Sequence, residues 1–172
     1  MKMLSTAFIG FIAVLSIVVA GIHFLVPNTR SGIHSVVLKG SLEEVWAVYT
    51  DPASLPDWRG SVLEIVGPEG ETGSRQWTEV SEQNVRIAFQ ETVFDAPRRY
   101  GLSTSSDGYF TGHYLAEFEQ IEPLVIRGTF TETITTESLK SKILALLFVR
   151  PKQLIEGFAR DAQAEIDRRS QG

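Results

Sequence analysis

The chain has 172 residues, enough for one domain with a substantial core. Its 16 Lys and Arg stand against 21 Asp and Glu, a net charge of −5, which argues against a surface built to hold a nucleic-acid backbone. Cysteine is absent, which excludes disulfides, thiolate catalysis and cysteine-ligated metal.

Leu4 to Val26 carries no formal charge when His23 is neutral, and its apolar residues surround the whole helical circumference. At roughly 1.5 Å per residue such a helix is long enough to cross a bilayer core of about 30 Å. The expectation is therefore an N-terminal transmembrane helix. A cleaved secretory signal is the competing reading, with Lys2 as its basic region and Val18-Val19-Ala20 as a small-residue pattern. The apolar run nevertheless continues to Val26, which favours an uncleaved, single-pass anchor. Lys2 before the span and Arg30 and Lys39 after it nearly balance, so charge does not set the side; the signal-like arrangement leans toward an extracytoplasmic domain. Pro27 to Gly32 reads as a tether, dividing the chain into an anchor and tether over 1–31 and a folded domain over 32–172.

Ile33 to Lys39 reads as a strand. Ser41 and Glu44 have the spacing of a capping box, and Leu42, Val45, Trp46 and Tyr49 share one face of the helix that follows. Asp51-Pro52 begins a second short helix, which Pro56 should end near Leu55. Trp46, Tyr49, Leu55 and Trp58 are expected to close one end of the domain; a ligand platform is the alternative for the two tryptophans.

From Ser61 the period changes to two. Ser61–Val66, Gly73–Val80, Val85–Phe94, Arg98–Ser105, Tyr109–Phe118 and Leu124–Ile134 read as six strands, with Gly67–Gly70 and Ser106-Asp107-Gly108 as turns. Phe110, Gly112, Tyr114, Ala116 and Phe118 fall on one face, as do Ile126, Gly128, Phe130, Glu132 and Ile134. A last helical region begins near Ser138, and Pro151 kinks it or starts it anew. Over Pro151–Arg169, Leu154, Ile155, Phe158, Ala159, Ala162 and Ile166 form one apolar stripe, which needs a sheet face to cover. The apolar part around Leu139–Val149, flanked by Lys140 and Lys142, packs on the sheet rim or touches a membrane surface.

The predicted architecture is α+β: a seven-stranded curved antiparallel sheet wrapped around the long C-terminal helix. Small residues at Gly112, Ala116 and Gly128 leave room on the covered face for an apolar cavity, and the same parity turns Glu91, Glu132 and Tyr114 toward it. The expected ligand-binding set is Trp77, Phe89, Glu91, Phe110, Gly112, Tyr114, Gly128, Phe130, Glu132 and Phe158. Glu79 joins the inward carboxylates if its strand has the same parity, with Arg75 and Arg99 as available partners. Glu91 or Glu132 would serve as a general acid or base, would orient a ligand without reaction, or would lie solvated at the rim. His113 shares the outward parity, and His34 has no recognisable partner. No metal-site or nucleotide motif is present, so no cofactor, metal or nucleic-acid partner is expected.

Gly40-Ser41-Leu42-Glu43-Glu44-Val45-Trp46, then Asp51-Pro52, then Leu55-Pro56-Asp57-Trp58, resembles the opening of the START-like, or Bet v 1-like (SRPBCC), superfamily, in particular its polyketide cyclase/dehydrase-like branch. The resemblance runs from about Gly32 to Arg169 and implies a helix-grip fold with a hydrophobic ligand cavity. It does not supply a catalytic residue set. The leading expectation is a membrane-anchored domain that binds a hydrophobic small molecule or lipid. The alternatives are a polyketide cyclase/dehydrase-like enzyme using pocket Glu and Tyr side chains as acid–base groups, and a non-enzymatic membrane-associated interaction domain.

Overall fold

The computed structural model describes residues 25–148 and 151–171, with isolated positions 11, 16, 20 and 21 before them. Seven strands, β1 (Thr29–Lys39), β2 (Val62–Glu69), β3 (Gln76–Ser81), β4 (Arg86–Asp95), β5 (Arg99–Ser106), β6 (Phe110–Glu122) and β7 (Val125–Thr136), form one antiparallel sheet in the order β1-β7-β6-β5-β4-β3-β2. Helix α1 (Leu42–Tyr49), a 3₁₀ turn (Pro52–Ser54) and the short α2 (Leu55–Trp58) separate β1 from β2; α3 (Leu139–Phe148) and α4 (Pro151–Arg169) follow β7. This is the α+β helix grip that the alternating and helical periods require.

One part of the expected architecture is corrected. Among the described residues, no helix is long and apolar enough to cross a membrane. Most of Leu4–Val26, where the transmembrane helix was expected, lies outside the described residues. The described residues thus form a helix-grip domain with no membrane-spanning helix, and they do not support the single-pass location, the extracytoplasmic lean or the membrane partner expected from sequence.

The first strand also begins earlier than its apolar pattern indicates. Thr29 to Gly32, read as tether, pair with Thr135 to Glu132 of β7. Hydroxyl pairs replace apolar contacts there: Thr29 with Thr135 at 2.9 Å and Ser31 with Thr133 at 2.8 Å. Pro56 does not stop α2, because it sits in the first turn, where its missing N–H has no helical partner to lose. Gly67 and its neighbours, read as a turn, are absorbed into a register shift between Val66 and Glu69 of β2.

Local chemistry fixes the helix ends. The Ser41 N–H donates to Glu44 Oε2 at 2.7 Å while the Glu44 N–H donates to Ser41 Oγ at 3.2 Å, the reciprocal capping box. Gly40 has φ +140, and a Cβ there would stand 2.9 Å from Ile166 Cγ2, so the strand-to-helix corner and α4 approach only across a glycine. The apolar stripe of α4 sinks Ile155, Ala159, Ala162 and Ile166 into the core with Leu38, Val45, Phe118, Ile126 and Phe130. Beside the stripe, Gln163 reaches strand β1: its Oε1 accepts the Lys39 N–H at 2.7 Å and its Nε2 donates to the Lys39 carbonyl at 2.9 Å.

The last turn of α4 is strapped down by charge. Glu165 is buried and accepts from Arg168 Nε at 2.7 Å and Arg169 Nε at 2.6 Å, while Arg169 Nη2 lies 3.7 Å from Asp51 and 3.2 Å from Ser54 Oγ. The hydrogen bond from Arg168, followed by that from Arg169, outweighs burial and draws the Glu165 carboxyl from its ordinary 4.5 down to about 2. A lowered folded-state value adds stability that is complete above about 4.5 and disappears as pH falls toward about 2. Glu165→Gln should therefore lower the urea midpoint at neutral pH and converge with the parent near pH 2. Parallel stability–pH curves for the two proteins would contradict that role.

Candidate functional site

Between the concave sheet face and α4 lies a cavity of about 1220 Å³, larger than the ~300–1,000 Å³ usual for small-molecule sites. Its lining extends from Tyr49 and Arg59 to the β3–β4 turn and to Leu144 and Leu154 of the C-terminal helices. Val85, Tyr109 and Leu154 line it and are also exposed, which places them at its mouth.

The walls are aromatic because inward positions of adjacent strands coincide in register. Trp77 opposes Phe89 across β3–β4, and their rings stack with centroids 5.4 Å apart and planes 3° apart. On β6 and β7, Tyr114 stacks on Phe130 at 6.0 Å, and Phe130 in turn stacks on Tyr49 of α1 at 5.6 Å. Phe158 of α4 enters from above, 5.1 Å from the Tyr49 ring and 5.5 Å from Trp58. These faces suit a flat or ring-bearing guest.

Several titratable groups face this space, among them two carboxyls and the Tyr114 hydroxyl. Glu79 of β3 has its carboxyl pushed above the ordinary range by burial, with Arg59 pulling in the opposite direction. Arg59 Nη1 stands 3.9 Å from Glu79 Oε2. The Trp77 indole is close enough to favour the charged carboxylate, yet its N–H has no hydrogen-bond partner among the described residues. Glu132 of β7 is likewise raised by burial, and His34 draws it partly back. Tyr114, opposite Glu132 in the β6–β7 register, is held well above its usual value by burial first and by the neighbouring Tyr49 and Glu132 second, so it remains a hydroxyl donor. The Tyr49 hydroxyl is buried with no hydrogen-bond partner among the described residues, and burial raises its pKa as well.

Of the residues expected from sequence to bind ligand, Trp77, Phe89, Phe110, Tyr114, Phe130, Glu132 and Phe158 line this cavity. Glu91, Gly112 and Gly128 are not among its lining residues. Glu91 is fully enclosed elsewhere: Gly73 N–H donates to it at 2.7 Å, Arg75 Nε at 3.0 Å and Tyr100 Oη at 3.2 Å. Burial raises its pKa, but Arg75 and the two backbone N–H groups overcome that and leave it lowered. Such a carboxylate is a strut with no lone pair to offer a substrate. The two glycines make room for neighbours: a Cβ on Gly112 would stand 2.6 Å from Thr104 Oγ1, and one on Gly128 2.9 Å from the Phe130 ring.

Sequence reasoning assigned no role to Arg59 and left His34 without a partner. His34 opposes Phe130 in the β1–β7 register, two residues from the position facing Glu132, and Gly32 supplies the space beside its ring. Among the described residues, no three His, Cys, Asp or Glu side chains gather as a metal site.

The sequence profile of the polyketide cyclase / dehydrase and lipid transport family matches residues 33–168. No curated protein matches the sequence. Among solved structures, a conserved protein from Geobacillus kaustophilus shares 19% identity at a TM-score of 0.65, covering 81% of this chain and 96% of its own. The Zhui aromatase/cyclase from a Streptomyces species shares 12% identity at a TM-score of 0.71, over 83% of this chain and 96% of that one. A point mutant of norcoclaurine synthase from Thalictrum flavum, in complex with a transition-state analogue, shares 12% at 0.65, over 83% and 96%. At these identities the structural likeness is one of fold. The profile match spans nearly the whole helix-grip domain, and with it the chain belongs to the polyketide cyclase / dehydrase and lipid transport family of the START-like superfamily.

Proposed function

We propose that the chain is a cyclase/dehydrase-like enzyme acting on a hydrophobic, carbonyl-rich small molecule held in this cavity, with the domain over 32–172 as the working unit. The observation that carries the reading is that two carboxyls with raised pKa values, Glu79 and Glu132, face one aromatic-walled space beside the Tyr114 hydroxyl. The match to the family profile and the likeness in fold to an aromatase/cyclase support it. The membrane-anchored form of the binding reading is not retained, because its anchor is not found among the described residues.

Ring closure of a polyketone needs little else. One carboxylate takes a proton from a carbon flanked by carbonyls, the enolate carbon attacks a second carbonyl, and the new alkoxide receives a proton from the other carboxyl. The second carboxyl, now ionised, removes a further C–H proton, and the first, protonated in the opening step, gives its proton to the departing hydroxyl, which leaves as water and returns both groups to their starting states. Raised carboxyl pKa values suit groups that both give and take protons near neutral pH. Tyr114 Oη is the donor placed to stabilise the developing oxyanion. Incubating the full chain with a poly-β-ketone thioester and following products by liquid chromatography and mass spectrometry tests the reading. A cyclised product lighter by one water is expected above the uncatalysed background, whereas tight binding without turnover would reduce the protein to a carrier.

A further inference from the structure

Arg59 stands out in the cavity because its donors are unused. Its guanidinium lies 4.7 Å from the centre of the Phe158 ring and 3.9 Å from Glu79, too far for a hydrogen bond. The side chain lines the cavity and keeps 22% of its surface exposed. Among the described residues no hydrogen bond reaches it, whereas Arg75 is occupied by Glu91 and the Thr50 carbonyl. A guanidinium offers five N–H groups in a planar fork that matches the two oxygens of a carboxylate.

We infer that the ligand is a ring-bearing molecule with an acidic oxygen group, a carboxylate or an ionised phenol, and that Arg59 holds this group in place of Glu79. The inference rests on the ligand-cavity reading above and narrows it to a substrate class. The Phe158 ring backs the guanidinium at 4.7 Å, while the stacked Trp77 and Phe89 provide the surface for the rings. Glu79 yields readily as a partner, since burial already disfavours its charge. When the ligand's anion takes over Arg59, one proton from solvent neutralises Glu79 and the net charge of the site is unchanged. Glu79 then carries the proton as acid, and Glu132, beside His34, is the base. Besides Arg59, the groups facing Glu79 are the Trp77 indole on its own strand and Tyr100 of β5; Asp51 lines the same cavity and is paired with Arg169.

Two probes of nearly equal shape test this on the full chain: 2-naphthoate, which is anionic at pH 7, and 2-acetonaphthone, a neutral ketone. Calorimetric titration should show naphthoate binding about tenfold more tightly or better, as a charge-assisted, two-pronged contact provides. Arg59→Gln should erase that preference while leaving acetonaphthone within about twofold, and Arg59→Lys should retain only part of it. In buffers of different ionisation enthalpy, naphthoate binding should take up protons in the parent and none in Glu79→Gln. Equal affinities for the two probes in the parent, or a preference that survives Arg59→Gln in a variant with unchanged circular dichroism, would overturn the inference and leave the cavity reading standing. Failure of both probes to bind would remove the cavity reading and this inference together.

Discussion

Arg75→Met is expected to destabilise the fold by about 3–5 kcal/mol, the usual cost of leaving one member of a buried ion pair behind. For a chain of this length that is a fall in Tm of roughly 6–20 °C. The size follows from where Glu91 lies: its side chain is wholly enclosed, and Arg75 reaches it through both Nε and Nη2. Without the guanidinium, burial acts on the carboxyl opposed only by two backbone N–H groups and the Tyr100 hydroxyl. Its folded-state pKa then rises, so the stability it contributes is present at low pH and lost as pH increases. The deficit of Arg75→Met should accordingly be larger at pH 8 than at pH 5 in urea denaturation. Pairing it with Glu91→Leu should recover most of the loss, since apolar replacement of both partners is often neutral. A deficit below about 1 kcal/mol would show that the pair is dispensable.

Glu132→Gln should lower kcat by about 10²–10⁴ on any substrate the parent cyclises, the range for loss of a positioned acid or base. The amide keeps the size of the side chain and the neutral state that burial already favours, so folding should be preserved. Because burial lifts the Glu132 pKa above its ordinary 4.5, the acid limb of the parent's pH–rate profile should lie above that value. A base must be ionised to act, so activity falls as pH drops through the limb, and the limb should vanish in the variant. Turnover within about twofold of the parent would exclude Glu132 from the chemistry.

How far such a site can be read from sequence is shown by pairs of residues. Phe110 with Tyr114, and Phe130 with Glu132, alternate cleanly, and the sheet places them inward as period two requires. Glu91 has the parity of Phe89, yet a register shift between Glu91 and Val93 and an arginine sixteen residues earlier convert it into part of the frame. Alternation within one strand cannot reveal a partner on the next. Gly112 and Gly128 read as vacant space, but whether a glycine admits a ligand or a neighbour depends on which side chain the adjoining strand brings. Arg59 lies between α2 and β2, outside any periodic segment, so no face could be assigned to it. His34 and Glu132 are brought close by the pairing of the first strand with the last, a contact that local pattern does not encode.

The carboxamide of Gln163 occupies both backbone hydrogen-bonding groups of Lys39 on the side of β1 away from β7. An intruding peptide that tried to extend the sheet there would find donor and acceptor already taken by the protein's own helix. The grip thus works in both directions at this point: the sheet holds the helix, and the helix closes the Lys39 end of that sheet edge to lateral pairing.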